Sequence, residues 1–178
     1  MISKEIKILG IDPGLRITGY GVISYQNQSS RYIASGIIKT SNTEGDLASR
    51  IKIILTGLGQ VIDEYHPEVA AIEKVFVNTN PQSTLLLGQA RGAAIAAAVL
   101  RDLNIFEYTA LQIKKSVVGQ GHAAKVQVQT MIQRLLNLPS MPSTDSADAL
   151  ACAVCHANIS HSLANFGVGN RMKGGRII

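Results

Sequence analysis

Apolar residues recur along this chain first with the short period of strands and then with the longer period of helices. Lys7 to Asp12 (KILGID) reads as a short buried strand. Gly19 to Tyr25 (GYGVISY) and Tyr32 to Lys39 (YIASGIIK) follow as alternating segments rich in aromatic and β-branched residues, separated by Asn27-Gln28-Ser29-Ser30. Three strands in succession predict an antiparallel meander. The period then changes: Leu47, Ile51, Ile54, Leu55, Leu58, Val61 and Ile62 recur at helical spacing, Pro67 closes the turn, and Glu68 to Glu73 (EVAAIE) is a fourth strand. From there helices and strands alternate. Gln82 to Leu100 is a long Ala- and Leu-rich helix, Asn104 to Tyr108 a short fifth strand, and Ala124 to Leu136 an amphipathic helix ending before Pro139. Ser143 or Thr144 is placed to cap a last helix beginning near Asp145, with Asp145 and Asp148 in its first turns, where carboxylates favour the helix dipole. The pattern predicts an α/β fold whose sheet is antiparallel on one side and parallel on the other, covered by helices on both faces. From Ser160 onward Gly, Asn and basic residues dominate, so residues 1–158 are expected to form one domain and 159–178 a flexible basic tail.

Composition agrees with a single packed domain. The 178 residues are 46% hydrophobic and 16% charged with 5 prolines, which supports a buried core and excludes a disordered, collagen-like or disulfide-stapled chain. No apolar run approaches the roughly 18 to 20 residues of a spanning helix, and the N-terminus lacks the apolar core of an export signal, so cytoplasm is the expected location. Charge adds more when divided along the chain. Residues 1–108 carry 10 Lys/Arg and 10 Asp/Glu, whereas 109–178 carry 7 Lys/Arg against only Asp145 and Asp148, so the whole net charge of +5 lies in the last 70 residues. Such asymmetry points to a polyanion, nucleic acid before membrane. Cys152-Ala-Val-Cys155-His156 has the spacing of a haem attachment motif, but it lies inside an Ala-rich run with helical spacing and reads instead as two small buried hydrophobes; no disulfide is required.

Acidic residues ending apolar runs are costly unless paired, protonated or metal-bound. Asp12 follows Ile8-Leu9-Gly10-Ile11 and precedes Pro13-Gly14, and Glu73 ends Val69-Ala-Ala-Ile72 in the same way. Asp145 and Asp148, spaced i,i+3, share one helix face in an otherwise nearly acid-free region. Four carboxylates converging at one sheet edge suit hard divalent cations, Mg²⁺ or Mn²⁺. Two such ions roughly 3.5 to 4 Å apart clamp the attacking and leaving oxygens of a phosphodiester. Taken singly, each has a plainer reading: Asp12 an Asx turn, Glu73 a partner for Lys74 or Arg91, and Asp145 and Asp148 helix-terminal charges.

Blocks in order along residues 7–158 resemble the RuvC family of bacterial Holliday junction resolvases: Leu9-Gly-Ile-Asp-Pro-Gly14 with Thr18-Gly-Tyr-Gly21, Ala71-Ile-Glu-Lys-Val-Phe76, Leu87-Gly-Gln-Ala-Arg-Gly92, Phe106-Glu-Tyr108, Val117-Val-Gly119 and Asp145-Ser-Ala-Asp-Ala-Leu-Ala151. The resemblance implies a ribonuclease H-like fold, its five-stranded mixed sheet made of three antiparallel and then two parallel strands and flanked by helices on both faces. It implies a homodimeric, Mg²⁺-dependent endonuclease acting in recombination and repair. Such an enzyme nicks two like-polarity strands of a four-way DNA junction symmetrically and leaves ligatable ends. Two Mg²⁺ per subunit are expected, with Mn²⁺ able to substitute. The family's catalytic, metal-binding carboxylates fall on Asp12, Glu73, Asp145 and Asp148, its DNA-facing lysines on Lys114 and Lys125, and its base-stacking aromatic on Phe76. The branch-migration proteins RuvA and RuvB are the partners it implies.

Two other readings compete. Asp12-Pro-Gly14 with Thr18-Gly19 also resembles the first phosphate loop of actin and sugar-kinase type phosphotransferases, but 178 residues hold neither a second such domain nor a second glycine-rich phosphate segment. A noncatalytic DNA-binding module is the third reading, favoured only if the four acids are dispensable.

Overall fold

Asn27 and Gln28 both hold positive φ, 50° and 65°, as the central pair of a hairpin loop whose twist matches that of its strands. The loop therefore uses only two of the four residues the sequence suggested, and the joined strands run longer. β2 (Ile17–Gln26) pairs antiparallel with β3 (Ser29–Lys39), ending with Gln26 opposite Ser29, and β1 (Ile6–Asp12) lies antiparallel on the other side of β2. The computed structural model describes residues 4–41, 45–74, 80–165, 172–173 and 176–177.

α1 (Leu47–Tyr65) carries the chain across to β4 (Val69–Lys74), which runs parallel to β1, and α2 (Pro81–Val99) carries it on to β5 (Asn104–Thr109), parallel to β4. The order β3-β2-β1-β4-β5 is the expected mixed sheet, three antiparallel strands followed by two parallel ones. Asp63 and Arg101 fasten α1 to the end of α2 with two hydrogen bonds of 2.6 and 2.7 Å. Arg91 of α2 pairs with Glu107 of β5.

Three helices follow: α3 (Ala110–Val118), α4 (Lys125–Leu135) and α5 (Thr144–Asn165). α3 is not among the elements that the hydrophobic pattern predicts because β5 runs into it with no loop, yet its signal is legible. Thr109 Oγ1 accepts from Gln112 N–H, Gln112 Oε1 accepts from Thr109 N–H, and Gly119 at φ 82° ends the helix. α5 starts where expected: Ser143 Oγ accepts from Ser146 N–H and hydrogen-bonds the Ser146 hydroxyl. It then continues to Asn165, past the expected boundary at 158, and beyond it β6 (Met172–Lys173) and β7 (Arg176–Ile177) pair antiparallel within the stretch expected to be flexible.

Each sheet face has its own core. Leu9, Ile11, Val22, Ala70 and Ile72 pack against α1 and α2, while Ile8, Ile23, Ala71 and Tyr108 pack against α3, α4 and α5. α5 is the buried centre of the second layer: Leu150, Ala151, Cys152, Ala153 and Cys155 are fully buried, as expected of a helix that is apolar all round. Both cysteines are free, which agrees with the core reading of that motif.

Candidate active site

Side chains alternate faces along a strand, so register decides which residues meet α5. Leu9 and Ile11 of β1 go to the α1/α2 core, leaving Gly10 and Asp12 toward α5; in β4, Ala70 and Ile72 go one way, Ala71 and Glu73 the other. Carried one residue past Ile11↔Ile72, the parallel register sets Asp12 beside Glu73 at the carboxyl ends of neighbouring strands. Arg91, one of the plainer partners for Glu73, is held by Glu107 on the opposite face of the sheet.

α5 approaches this edge because the sheet lacks side chains beneath it. A Cβ on Gly10 would lie 1.9 Å from the Ala149 carbonyl oxygen, and one on Gly19 2.1 Å from the Asp145 carbonyl oxygen. Gly19 is the residue paired with Asp12 across β1 and β2. The Asp145 backbone therefore rests against the neighbour of Asp12, and Asp148 follows one turn later. The turn after Asp12 is also fastened: the buried Thr18 hydroxyl donates to Gly14 C=O at 2.8 Å, and Arg50 donates to Leu15 C=O at 3.1 Å.

Asp12 lies within electrostatic reach of the three other acids. Burial first, and then the charges of Glu73, Asp148 and Asp145, push the Asp12 carboxyl up to about 7, with Lys125 opposing. Glu73 is raised by burial and by Asp148, against the relief of Lys114 and Lys125. Asp148 is raised by burial, with Asp145 adding to the effect and Lys125 and Lys114 opposing it. The fully buried Cys152 thiol is pushed well above its ordinary range by burial and then by Cys155, Glu73, Asp12 and Asp148, so the thiol stays protonated beneath the cluster.

Lys125 is the first residue of α4. Its Nζ lies 3.7 Å from Asp148 Oδ2 while the side chain remains 72% exposed. A cation at a helix N-terminus opposes the dipole, and here the neighbouring carboxylates compensate. Of the adjacent lysines, Lys114 is half-buried and acts on Glu73 and Asp148, whereas Lys115 is exposed. Phe76 lies outside the described residues.

Among the described residues, no three His, Cys, Asp or Glu side chains are gathered closely enough to hold a metal ion as they stand. The donor chemistry fits a hard divalent cation: the cluster offers carboxylate oxygens, and Lys125 alone opposes the burial and the three acidic neighbours that raise Asp12 to about 7.

The model of a family described as crossover junction endodeoxyribonuclease RuvC matches residues 8–156. A crossover junction endodeoxyribonuclease RuvC from Methylobacillus flagellatus is 63% identical over 177 residues, covering 97% of this chain and 98% of the relative. One from Thiobacillus denitrificans is 57% identical over 173 residues, covering 97% and 100%. Among solved structures, T. thermophilus RuvC in complex with a Holliday junction substrate superposes with a TM-score of 0.82 at 30% identity, covering 88% of this chain and 96% of that one.

Proposed function

This chain belongs to the RuvC family and is a crossover junction endodeoxyribonuclease that resolves four-way DNA junctions, and on that premise we propose that Asp12, Glu73, Asp145 and Asp148 are its catalytic, metal-holding carboxylates. The observation that carries the assignment is geometric: Asp12 and Glu73 end neighbouring strands, and the first turn of α5, with Asp145 and Asp148, is pressed against that edge at Gly19. Burial first, and then the neighbouring acids, hold the Asp12 carboxyl up at about 7, and a divalent cation bound there would offset both. The family uses a divalent metal; the proposal is Mg²⁺, two ions per subunit, with Mn²⁺ able to replace it. A cation held there supplies Lewis-acid activation of water and stabilises the departing 3′ oxygen.

The chain's own residues then have distinct tasks. Asp12 and Glu73, on rigid strand ends, and Asp145 and Asp148, on the buried α5, would hold the cation through oxygens supplied from four backbone positions. Lys125 offsets Asp148 in the free protein and is exposed enough to turn to a phosphate oxygen; Lys114 relieves the same cluster from the α3 side. Phe76, three residues after Glu73, is assigned by resemblance to base stacking at the crossover.

The homodimer of the proposal would pair two such sites, and the outer face of α2 supports it. Leu85 (70% exposed), Gly88, Gly92, Val99 and Leu100 (71% exposed) share a side away from the buried Ala90, Ala94 and Ala97, and a Cβ on Gly88 or Gly92 would meet nothing within 4 Å. Small residues flanked by exposed leucines suit close helix packing against a second copy. RuvA and RuvB as partners rest on the family resemblance, whereas the 1–158 nuclease domain with a basic tail rests on the Gly, Asn and basic residues that follow Ser160. No described helix is long and apolar enough to cross a membrane, and the cytoplasm is the proposed location.

Purified protein incubated with a synthetic four-way junction and a matched linear duplex is expected to give paired, symmetric nicks in the junction alone, with Mg²⁺ and not with EDTA. Sedimentation is expected to give about twice 19.0 kDa. Binding without nicking would leave only the noncatalytic DNA module. Lys125→Ala is expected to lower the dependence of log K on log salt by about one unit for the lost phosphate contact, and the cleavage rate about 10²-fold. An unchanged salt slope with an unchanged rate removes Lys125 from the site.

A further inference from the structure

Beneath the four carboxylates, the core between β5 and α5 contains one hydrogen bond between side chains that the catalytic assignment does not use. The Tyr108 hydroxyl and His156 Nδ1 lie 2.8 Å apart, and both residues are 4% exposed. The Phe106 ring packs on the His156 imidazole with centroids 4.4 Å apart. The surroundings are apolar, with Ala71, Ile113, Ala153 and Cys155 in the same cluster. Two apolar side chains would fill this space as well; what a buried polar pair adds is direction and distance between the elements it joins.

Those elements carry the site. Tyr108 stands directly opposite Glu73 in the parallel pairing of β4 and β5. The next residue, Thr109, caps the helix that presents Lys114. His156 lies on α5 about two turns after Asp148. Asn158, just beyond it, donates from Nδ2 to the Ser116 hydroxyl at 3.2 Å and ties α5 also to α3, the helix that continues from β5. Because Glu73 is locked to β5 by the sheet, any sliding of α5 along β5 changes the gap between Glu73 and the aspartates of α5.

We propose that Tyr108 and His156 form a positioning pair that fixes α5 along β5 and so limits how far Asp145 and Asp148 can stand from Glu73 when the carboxylates close on a cation. The pair touches neither cation nor DNA and acts through the carboxylates, so the inference rests on the metal site proposed above.

Tyr108→Phe removes one oxygen and keeps the ring. Its expected effect is a dissociation constant for Mn²⁺, measured without DNA by electron paramagnetic resonance, about tenfold weaker than wild type, the size of effect typical of residues that orient metal ligands. The Mg²⁺ concentration for half-maximal junction cleavage should rise in parallel, while the rate at saturating Mg²⁺ and junction binding in EDTA stay within twofold. His156→Leu should behave as Tyr108→Phe does, and His156→Asn, whose side-chain oxygen can take the tyrosine hydroxyl, should recover most of the Mn²⁺ affinity. Unchanged Mn²⁺ affinity in both Tyr108→Phe and His156→Leu overturns the proposal. So does a saturating rate that falls together with cation affinity and melting temperature, since that is a general loss of packing. Wild-type protein and Asp12→Asn run alongside separate the two readings. Mn²⁺ binding by wild type and its loss in Asp12→Asn keep the metal site whatever Tyr108→Phe does, and no binding by wild type overturns site and pair together.

Discussion

Asp12→Asn is expected to abolish junction cleavage, by at least about 10³-fold, while junction binding persists and the metal-free protein becomes more stable at pH 8. The stability gain follows from the same burial and repulsion that make the site. The Asp12 carboxyl titrates at about 7 in the fold against an ordinary 3.8, so the folded state disfavours its ionised form. Below pH 3.8 the carboxyl is protonated in both states and costs nothing. Between about pH 4 and pH 7 the unfolded chain releases the proton that the folded chain keeps, so the penalty on the fold grows, and above pH 7 it is complete. A shift of about three units corresponds to at most about 4 kcal/mol. Asparagine keeps the shape without the charge, so the melting temperatures of variant and wild type in EDTA should coincide near pH 4 and diverge as pH rises to 8. Mg²⁺ should then raise the wild-type melting temperature more than that of the variant, because only wild type still has all four charges to neutralise. Persistent cleavage by Asp12→Asn, or binding lost together with cleavage, removes Asp12 from the catalytic site. A variant destabilised equally at every pH shows that the carboxyl is an ordinary packing element.

Much of this arrangement is legible along the chain because it depends on local pattern. An acid ending a four-residue apolar run, twice, marks Asp12 and Glu73; parity along each strand already puts them opposite the residues that face the α1/α2 core. The i,i+3 pair at the start of a capped helix marks Asp145 and Asp148. The resemblance supplied Lys114 and Lys125, which periodicity alone cannot tell from solvated lysines. What stayed hidden depends on distances between segments far apart in sequence. Burial of Lys114 over Lys115 is set by how α3 lies on α5. The hydrogen bond from Tyr108 to His156 joins residues 48 apart. α3 is the exception, a local feature that periodicity does not mark: its capping pair Thr109 and Gln112 lies in the sequence, but a strand that turns into a helix without a loop leaves no break in the pattern. Gly10 and Gly19 also read ambiguously, since a glycine in a strand signals either a bulge or a close approach, and only the position of α5 chooses between them.

Gly19→Ala tests that choice, and the expected result is a loss of cleavage out of proportion to the loss of stability. A Cβ at Gly19 would stand 2.1 Å from the Asp145 carbonyl oxygen, 2.6 Å from its carbon and 3.3 Å from its Cα, all backbone atoms that no rotamer change can move aside. Restoring an ordinary contact of about 3.4 Å requires the first turn of α5 to retreat by roughly 1.3 Å from β2, beside the strand that holds Asp12. Overpacking of this kind typically costs about 1 to 3 kcal/mol of stability. A catalytic group misplaced by about 1 Å can cost about 10²-fold in rate, so junction cleavage should fall by about that factor in protein that is still folded. Gly10→Ala makes the complementary case. Its Cβ would meet the Ala149 carbonyl oxygen at 1.9 Å and the Ala153 nitrogen at 2.8 Å, in the body of the helix, where the chain has the least freedom to move. There the expected damage is chiefly to folding, read as a larger drop in melting temperature than Gly19→Ala shows. Cleavage by Gly19→Ala within about threefold of wild type would mean that α5 yields without carrying Asp145 away from Asp12. The close helix-to-sheet approach would then be a feature of core packing alone, with no part in setting the carboxylate geometry.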